Sequence, residues 1–496
     1  MKNLIKKFTL GISLITLIHI SINAQNEIDA LRFSELDWQG TARFMGAGKA
    51  FGAVGAEFSA INLNPAAIGL YKKSEITFTP MTVSVYKNTS EYNGLVTPGQ
   101  KVGYNLGSAG MVLAVPGISN TLWKKIQIGF GYNRIKNFNN SFSIEGNSKG
   151  SPLGALFTAE ANDKKLNANE AGAWSDELWV GWWSGFFDTV PGTATSYYAP
   201  LKDINMSQSS SVVRRGGIDE MIFSIGTNYD DKLFLGATIG VPFINFTEDR
   251  TYEEITDKSY SDLFRYYEMK DKLSVHSNGI NLKLGVVYQP VDFLRVGVAF
   301  HTPTYYGNVR DNFDRKLYTE TQYGGFTLKP DEYYNYPRKY NYSLTTPLRA
   351  MFNAAFFIKQ RAFISAEYEF VDYSMTNMFA DDYHFRDENK AIQSMYGACH
   401  IARIGAEINL NQVFAIRAGY NYLSSPYKNS YKDEIDASKH YASLGFGFRT
   451  KYFYGDFAYA LTTSKEKYWM LDPVFINAVN NKFITHRIMM TMGVRF

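Results

Sequence analysis

The sequence predicts an all-β fold, a 14-stranded antiparallel transmembrane β-barrel with an N-terminal plug in its lumen. Three observations predict it. Many segments alternate apolar and polar residues. The connections between successive segments alternate between very short and long. The chain ends on an aromatic residue within such a segment. Because lipid offers the backbone no hydrogen-bond partners, a sheet that spans a membrane has to close on itself.

The N-terminus has the three parts of a secretory signal peptide. The basic start MKNLIKK precedes the apolar run FTLGISLITLIHI, and Ala24 is the small residue at the expected cleavage site. The apolar run is too short to span a bilayer as a helix, and the alternative is a buried N-terminal helix. We therefore expect residues 1–24 to be removed on export.

Composition excludes several classes of protein. Loss of residues 1–24 removes three lysines and lowers the net charge from +4 to +1, which is too small to attract nucleic acid. The single cysteine, Cys399, excludes an intrachain disulfide framework. The 35 Tyr and 36 Phe residues, without a further helix-length apolar run, suit many strands that are each apolar on one face.

Alternation is clearest in four segments. In KIQIGFGYNR, Ile126, Ile128 and Phe130 share one face, whereas Lys125 and Gln127 share the other. The segments KLFLGATIGV, IARIGAEINL and YASLGFGFR alternate in the same way. The predicted strands are 75–86, 104–115, 124–136, 218–229, 232–247, 272–289, 292–305, 341–358, 361–373, 398–410, 412–423, 439–450, 451–463 and 484–496.

The connections differ in length from one end of the strands to the other. Very short ones occur near 229–232, 289–292 and 410–412, and long polar stretches such as 137–217, 248–271 and 306–340 lie between them. Short turns at one end and long loops at the other are typical of an outer-membrane barrel. The alternative is a large soluble β-sandwich or propeller, although a propeller would need a repeat of about 40 residues that the sequence lacks.

The last predicted strand, HRIMMTMGVRF, is amphipathic to its end. Val494, Met492 and Ile488 share one face, with Met489 as an exception, and the chain ends at Phe496. This ending resembles the C-terminal signal of outer-membrane barrels, so we expect the barrel-assembly machinery to be a partner.

Glycines on the inward faces of the predicted strands suggest that something packs inside the wall. Glycine in a strand marks a bend or a close approach, and simple barrel curvature is the alternative. The candidate for packing inside is 25–72, which is rich in Gly and Ala and has Phe44, Phe51 and Phe58 as apolar anchors. The predicted organisation is then a signal peptide at 1–24, a plug at 25–72 and a barrel at 73–496.

The stretch GTARFMGAGKAFGAVGAEFSAINLNPAAIG, ahead of the predicted barrel, resembles the FadL family of outer-membrane transporters for fatty acids and other hydrophobic compounds. Clear motif similarity is confined to about residues 38–71. The resemblance implies that this segment is a hatch that plugs the barrel, with Asn64, Pro65 and Ala66 as its hinge. It also implies a kink in the third strand, for which Gly129 and Gly131 are the candidates.

The resemblance further implies a function. It implies a passive outer-membrane channel for hydrophobic small molecules such as long-chain fatty acids, which would be captured by loops, held in the plugged lumen and released through a lateral gap. We expect a monomer in contact with outer-membrane lipid, with no cofactor and no nucleic-acid partner. The alternative is a barrel of this type that acts as an interaction scaffold for a secretion or surface-attachment machine.

Four of the seven tryptophans lie in the predicted loop 137–217. A helix beginning after Ser175 would place an apolar stripe on one face, and this stripe is either packed on the barrel rim or forms a trough that captures a lipophilic molecule. SDLFRYYEMK, residues 261–270, is a weaker candidate for a second loop helix. The candidate substrate-binding residues are Phe44, Phe51, Phe58, Trp179, Trp182, Trp183, Phe186 and Phe187.

No motif predicts an enzyme. GNSKG (146–150) fits G-x-S-x-G but lies in a polar stretch without the strand–turn–helix context of a nucleophile elbow. GAGK (46–49) lacks the rest of a phosphate-binding loop, and the histidines have no paired metal-ligand spacing. We therefore expect neither catalytic residues nor a metal site.

Overall fold

The computed structural model describes residues 27–117, 121–256, 264–321, 338–359, 361–432 and 436–496. The predicted signal peptide, residues 1–24, lies outside the described residues. The described chain forms a closed antiparallel barrel of fourteen strands, which confirms the predicted fold class. Residues 27–71, which we call the plug, pack inside it.

Five of the fourteen strands are interrupted, and each of these is given as two segments. The strands are β1 (Glu75–Tyr92), β2 (Leu95–Asn105 and Ser108–Pro116), β3 (Trp123–Asn137 and Asn140–Lys149), β4 (Asn205–Tyr229), β5 (Leu233–Thr256), β6 (Phe264–Val291), β7 (Leu294–His301 and Tyr305–Thr321), β8 (Arg338–Thr345 and Arg349–Ile358), β9 (Ala362–Asp372 and Asn377–Phe379), β10 (Ala398–Asn409), β11 (Phe414–Leu423), β12 (Lys439–Arg449), β13 (Phe453–Tyr468) and β14 (Val479–Arg495). Each pairs with the next, and β14 pairs with β1 to close the barrel. The β1–β14 register shifts between Phe78 and Met81, around Pro80, which has no N–H to donate.

Short helices occur in the plug and in the long connections. The plug contains α1 (Glu27–Ser34), α2 (Ala42–Gly46) and two 3₁₀ helices, Phe58–Asn62 and Pro65–Leu70; the connections contain α3 (Pro152–Asp163), α4 (Asp176–Trp183), α5 (Arg386–Met395), α6 (Asn429–Lys432) and two 3₁₀ helices, Ala168–Ala173 and Tyr373–Met375. A small hairpin pairs Asp188–Thr189 with Tyr197–Tyr198. No helix in the described part of the chain has the length and hydropathy needed to cross a membrane.

The two faces of the wall differ as the alternation predicts. Outward-facing apolar side chains such as Ile128, Ile404 and Phe446 remain 41–52 % exposed. A contiguous apolar belt of this size would be unfavourable in water, and it suits contact with lipid. Met489, the exception in the last strand, points inward and packs in the core beside the plug.

Several predicted loops are wrong in extent, among them 87–103, where β1 continues to Tyr92 and β2 begins at Leu95, and one predicted helix is wrong. Strand β4 already begins at Asn205, β5 continues to Thr256 and β7 to Thr321, so much of the predicted loop sequence is strand. These extensions lie beyond the apolar belt. Their outer faces are largely polar and their inner faces mix polar residues with buried apolar ones such as Val212 and Tyr267, so they lack the regular alternation that would reveal them. Residues 264–270, predicted as helix, belong to β6, because β5 and β7 pair with them on both sides.

Candidate functional site

The Asn–Pro–Ala motif forms the start of the second 3₁₀ helix in the plug. The Asn64 Oδ1 accepts a hydrogen bond from the Ala66 N–H at 3.0 Å, and its Nδ2 donates to Asn353 Oδ1 on β8 at 2.9 Å. Pro65 occupies the first helical position, where its missing N–H costs nothing. The motif therefore both begins a tight turn and fixes that turn to the wall.

Glycines in the wall make room for this turn. A Cβ added at Gly285 of β6 would lie 2.0 Å from Asn64 Oδ1, and one at Gly236 of β5 would lie 2.2 Å from the Pro65 carbonyl oxygen. Any larger residue at either position would displace the motif. The predicted hinge residues therefore lie against wall positions that have no side chain.

Ion pairs tie the plug to opposite sides of the barrel. The Glu35 carboxylate lies 2.5 Å from the ammonium groups of both Lys136 on β3 and Lys439 on β12. Arg43 pairs with Glu407 on β10 at 2.9 Å. Burial disfavours ionised Glu35, but the two lysines outweigh this and lower its pKa to about 2. The plug is therefore anchored electrostatically at several points of the wall.

The three phenylalanines predicted to bind substrate are fully buried in packing contacts. Phe44 packs near Phe51, and Phe51 makes an edge-on contact with Phe363 of β9 at 5.4 Å between ring centroids. Phe58 lies against Gly110 of β2 and Gly131 of β3. None of the three lines either of the cavities described below.

The wall is interrupted in β3, at a different place from the predicted glycines. The β2–β3 ladder runs without a break through Gly129 and Gly131. It ends before Phe138, whose N–H donates to the carbonyl of Gly216 in β4 at 3.0 Å. Gly216 has φ +103°, which favours glycine, and the β3–β4 register shifts between Arg134 and Lys136.

Beyond this point β3 leaves the edge of β2. The outer segment of β3, Asn140–Lys149, pairs with β4, and the outer segment of β2, Leu95–Asn105, pairs with β1. No ladder joins the two segments, although every residue in both is described. We call this break in the backbone pairing, which Asn137 spans with a side-chain hydrogen bond to Asn105 at 3.0 Å, the wall opening. Gly146 in the outer segment of β3 instead packs against the inward-facing ring of Tyr92.

The plug backbone replaces β2 as the partner of β3 at the base of the wall opening. The N–H of Asp37 donates to the Ile135 carbonyl at 2.9 Å, and the N–H of Gln39 donates to the Arg134 carbonyl at 3.0 Å. The Gln39 side chain also accepts a hydrogen bond from Asn105 on β2 at 3.4 Å. The plug segment 37–39 therefore bridges the two strands at the point where they separate.

A small cavity lies behind the wall opening. Its volume is about 20 Å³, enough for about one water molecule, and Trp38 and Ile135 are among its lining residues. Its basic groups are already paired, since Lys283 lies 2.5 Å from Glu220 and Arg349 contacts Glu369. This cavity is too small to hold a hydrophobic solute.

The aromatic loop is folded into a cap over the long-loop end of the barrel. Phe186 and Phe187 are fully buried, and Trp179 and Trp182 are partly buried in the same cluster. Trp183 alone of the five predicted loop residues is well exposed, at 61 %. The nearby open groove of about 500 Å³ is lined by polar and apolar residues of several connections, including the two ends of the aromatic loop's own connection, but not by these tryptophans.

The sequence does carry a signal for the wall opening that the prediction did not use. Residues 137–140 read NFNN, a cluster of turn-forming asparagines, and residues 216–217 of the neighbouring strand are a glycine pair. Both lie beyond the alternating part of the strands, so alternation alone predicts a loop there.

Solved structures resemble this barrel along almost its whole length. A FadL homologue from Pseudomonas aeruginosa superposes with a TM-score of 0.53 at 14 % identity, covering 93 % of this chain and 98 % of its own. The chain has the FadL-type fold. The toluene transporter TodX from P. putida shares this FadL-type fold with the chain, with a TM-score of 0.51 at 12 % identity and coverage of 93 % and 99 %. No protein-family model and no curated protein gives a significant match to the sequence.

Proposed function

We propose that the chain is a passive outer-membrane channel for hydrophobic small molecules, which leave the barrel sideways through the wall opening. Exposed Trp183 and the aromatic cap around it provide the first contact for an apolar solute. The solute then passes into the lumen as the plug shifts. The driving force is the removal of apolar surface from water, at about 25 cal/mol per Å², and no cofactor is needed.

The observation that carries this proposal is the plug segment that bridges the wall opening. Backbone carbonyls that are buried without a hydrogen-bond partner are unfavourable. Here the carbonyls of Arg134 and Ile135 are satisfied by plug N–H groups. Displacement of residues 37–39 would free these carbonyls and the cavity behind them together, which couples plug movement to lateral release.

The interior charges favour an uncharged solute. Lys283 and Arg349, the basic residues beside the cavity, are each paired with a buried carboxylate. A fatty-acid anion would have to break one of these buried pairs, and this is costly. We therefore expect aromatic or aliphatic hydrocarbons to pass more readily than long-chain fatty acids.

A disulfide across the wall opening tests lateral release. A Cβ added at Gly103 of β2 lies 3.9 Å from the Asn139 side chain of β3. We would combine Gly103→Cys and Asn139→Cys in a Cys399→Ser background, and follow cellular uptake of labelled toluene and of a long-chain fatty acid. We expect uptake of toluene to fall to background when the disulfide forms and to return on reduction.

A matched pair gives the control. Ala418→Cys with Leu444→Cys joins residues that face each other on the unbroken β11–β12 ladder, so this disulfide should leave uptake unchanged. Full uptake with the Gly103–Asn139 bridge completely formed would reject lateral release. Absence of uptake above background in the reduced protein would reject the channel itself. Deletion of residues 25–70 without effect on folding or uptake would reject a role for the plug.

A further inference from the structure

Four lysines form a patch on the outer wall near the long-loop end of the barrel. Lys465 of β13 and Lys482 of β14 are directly opposite each other in the ladder. Lys467 of β13 faces Asn480, and Lys87 of β1 faces Ile484. Asn480 and Ile484 each lie two residues from Lys482, so Lys467 and Lys87 are its diagonal neighbours. We call these four residues the lysine patch.

Like charges directly opposite in a sheet are destabilising, and diagonal neighbours lie within reach of long side chains. Some other basic side chains on the outer wall have acidic partners. Arg215 of β4 pairs with Asp249 of β5, and Lys270 pairs with Glu268 at 2.7 Å. Among the described residues, none of the four patch lysines makes an ion pair. The nearby acid in this ladder is Glu91, which leaves the patch strongly positive.

Three tyrosine–histidine pairs define the level of the patch relative to the membrane. Each joins two strands connected by a long loop, with hydroxyl-to-Nδ1 distances of 2.6–2.8 Å. The pairs are Tyr368–His400, Tyr420–His440 and Tyr459–His486. Such amphipathic side chains are typical of the membrane–water interface. Below them the wall is apolar.

The lysine patch begins just above this level. Lys482 lies four residues beyond His486 on the same strand face, which is about 10 Å along the membrane normal for a strand tilted by about 40°. The apolar belt directly below includes Ile488, which is 59 % exposed. A molecule that fits here has an anionic head and an apolar tail.

We propose that the lysine patch binds the phosphate-bearing head group of a lipid in the outer leaflet. Lysine is a good point-charge partner for phosphate, and the lipid tails would cover the belt below. The lipid would also relieve the repulsion between Lys465 and Lys482. The inference is independent of what the barrel transports.

Native mass spectrometry of the full chain in mild detergent tests this proposal. The probes are diphosphorylated lipid A, lipid A with both phosphates removed, and inorganic phosphate as competitor. We expect Lys482→Gln and Lys465→Gln each to weaken binding of the phosphorylated lipid about fivefold. The dephosphorylated lipid should bind at the level of the variants.

Lys270→Gln is the control, since Lys270 is also exposed on the outer wall but has an acidic partner. We expect it to bind within about twofold of the unsubstituted chain, and heat-dependent gel mobility to show that all variants are folded. Three outcomes would overturn the proposal. Lys270→Gln could weaken lipid binding as much as the patch variants do, or the dephosphorylated lipid could bind as tightly as the phosphorylated one. Inorganic phosphate could also displace the lipid when both are at the same concentration.

Discussion

At the scale of single residues, one close approach of plug and wall is a contact between two glycines. A Cβ added at Gly419 of β11 would lie 2.0 Å from the backbone nitrogen of Gly48, whose φ is +63°. Gly419→Ala should therefore push the plug from its place at a cost of about 1–3 kcal/mol, while the β11 ladder persists. Limited proteolysis in detergent should then cleave residues 27–71 faster.

The neighbouring position gives a control for this substitution. Ala418 faces outward on the same strand, so Ala418→Val adds more volume without approaching the plug. We expect its plug to be as protected as that of the unsubstituted chain. Equal protease sensitivity in the two variants would contradict the glycine contact.

At the scale of elements, the plug segment 37–39 acts as a short strand at the base of the wall opening. Gln39→Pro removes the N–H that donates to Arg134 and leaves that carbonyl without its partner, at a cost of about 1–3 kcal/mol. This weakens the closed state, so uptake of labelled toluene should be faster. Gln39→Ala retains the N–H and loses only the side-chain contact with Asn105.

The comparison of the two variants isolates the backbone bond. Faster uptake with Gln39→Pro and a near-normal rate with Gln39→Ala would support the bridging role. Similar rates in both would show that the backbone bond does not hold the opening closed.

The elements also show what the sequence can predict. Within the belt, the sequence predicts all fourteen strands, because lipid on one side and a polar interior on the other impose strict alternation on segments such as KIQIGFGYNR. The strand extensions and the break at Phe138 could not be read in this way, because water or protein contacts both faces there. The apolar stripe after Ser175 predicts the loop helix, but the burial of Phe186 depends on β6, which packs against it from a distant part of the sequence.

At the scale of the whole molecule, the barrel and the plug are stabilised by different forces. The barrel is a closed ladder of backbone hydrogen bonds, none of which titrates, so it remains closed even where pH breaks a buried ion pair of its wall such as Lys283–Glu220. The plug depends in addition on buried charges such as Glu35 and Arg43, whose partners lie on three different strands. Changes of pH should therefore act on the plug before they act on the barrel.

Plug carboxyl groups shifted in opposite directions determine this pH dependence: burial raises the pKa of Asp29 as it does that of Glu57, and basic partners lower the pKa of Asp37 as they do that of Glu35. Burial raises the pKa of Glu57 to about 7, so the plug gains stability as the pH falls from about 7 to about 4.5. The pKa of Glu35 is instead lowered from 4.5 to about 2, because Lys136 and Lys439 outweigh the effect of burial. Its stabilisation is complete above about pH 4.5 and is lost as the pH falls toward 2.

We therefore expect the plug to be most stable near pH 4–5 and to loosen in stronger acid. Hydrogen–deuterium exchange of peptides from residues 27–71, corrected for the intrinsic pH dependence of exchange, measures this directly. Glu35→Gln should flatten the acid side of the profile, and Glu57→Gln should flatten the side between pH 5 and 7, while strand peptides from the belt remain protected in both. An unchanged acid side with Glu35→Gln would mean that the pairs with Lys136 and Lys439 do not hold the plug in place.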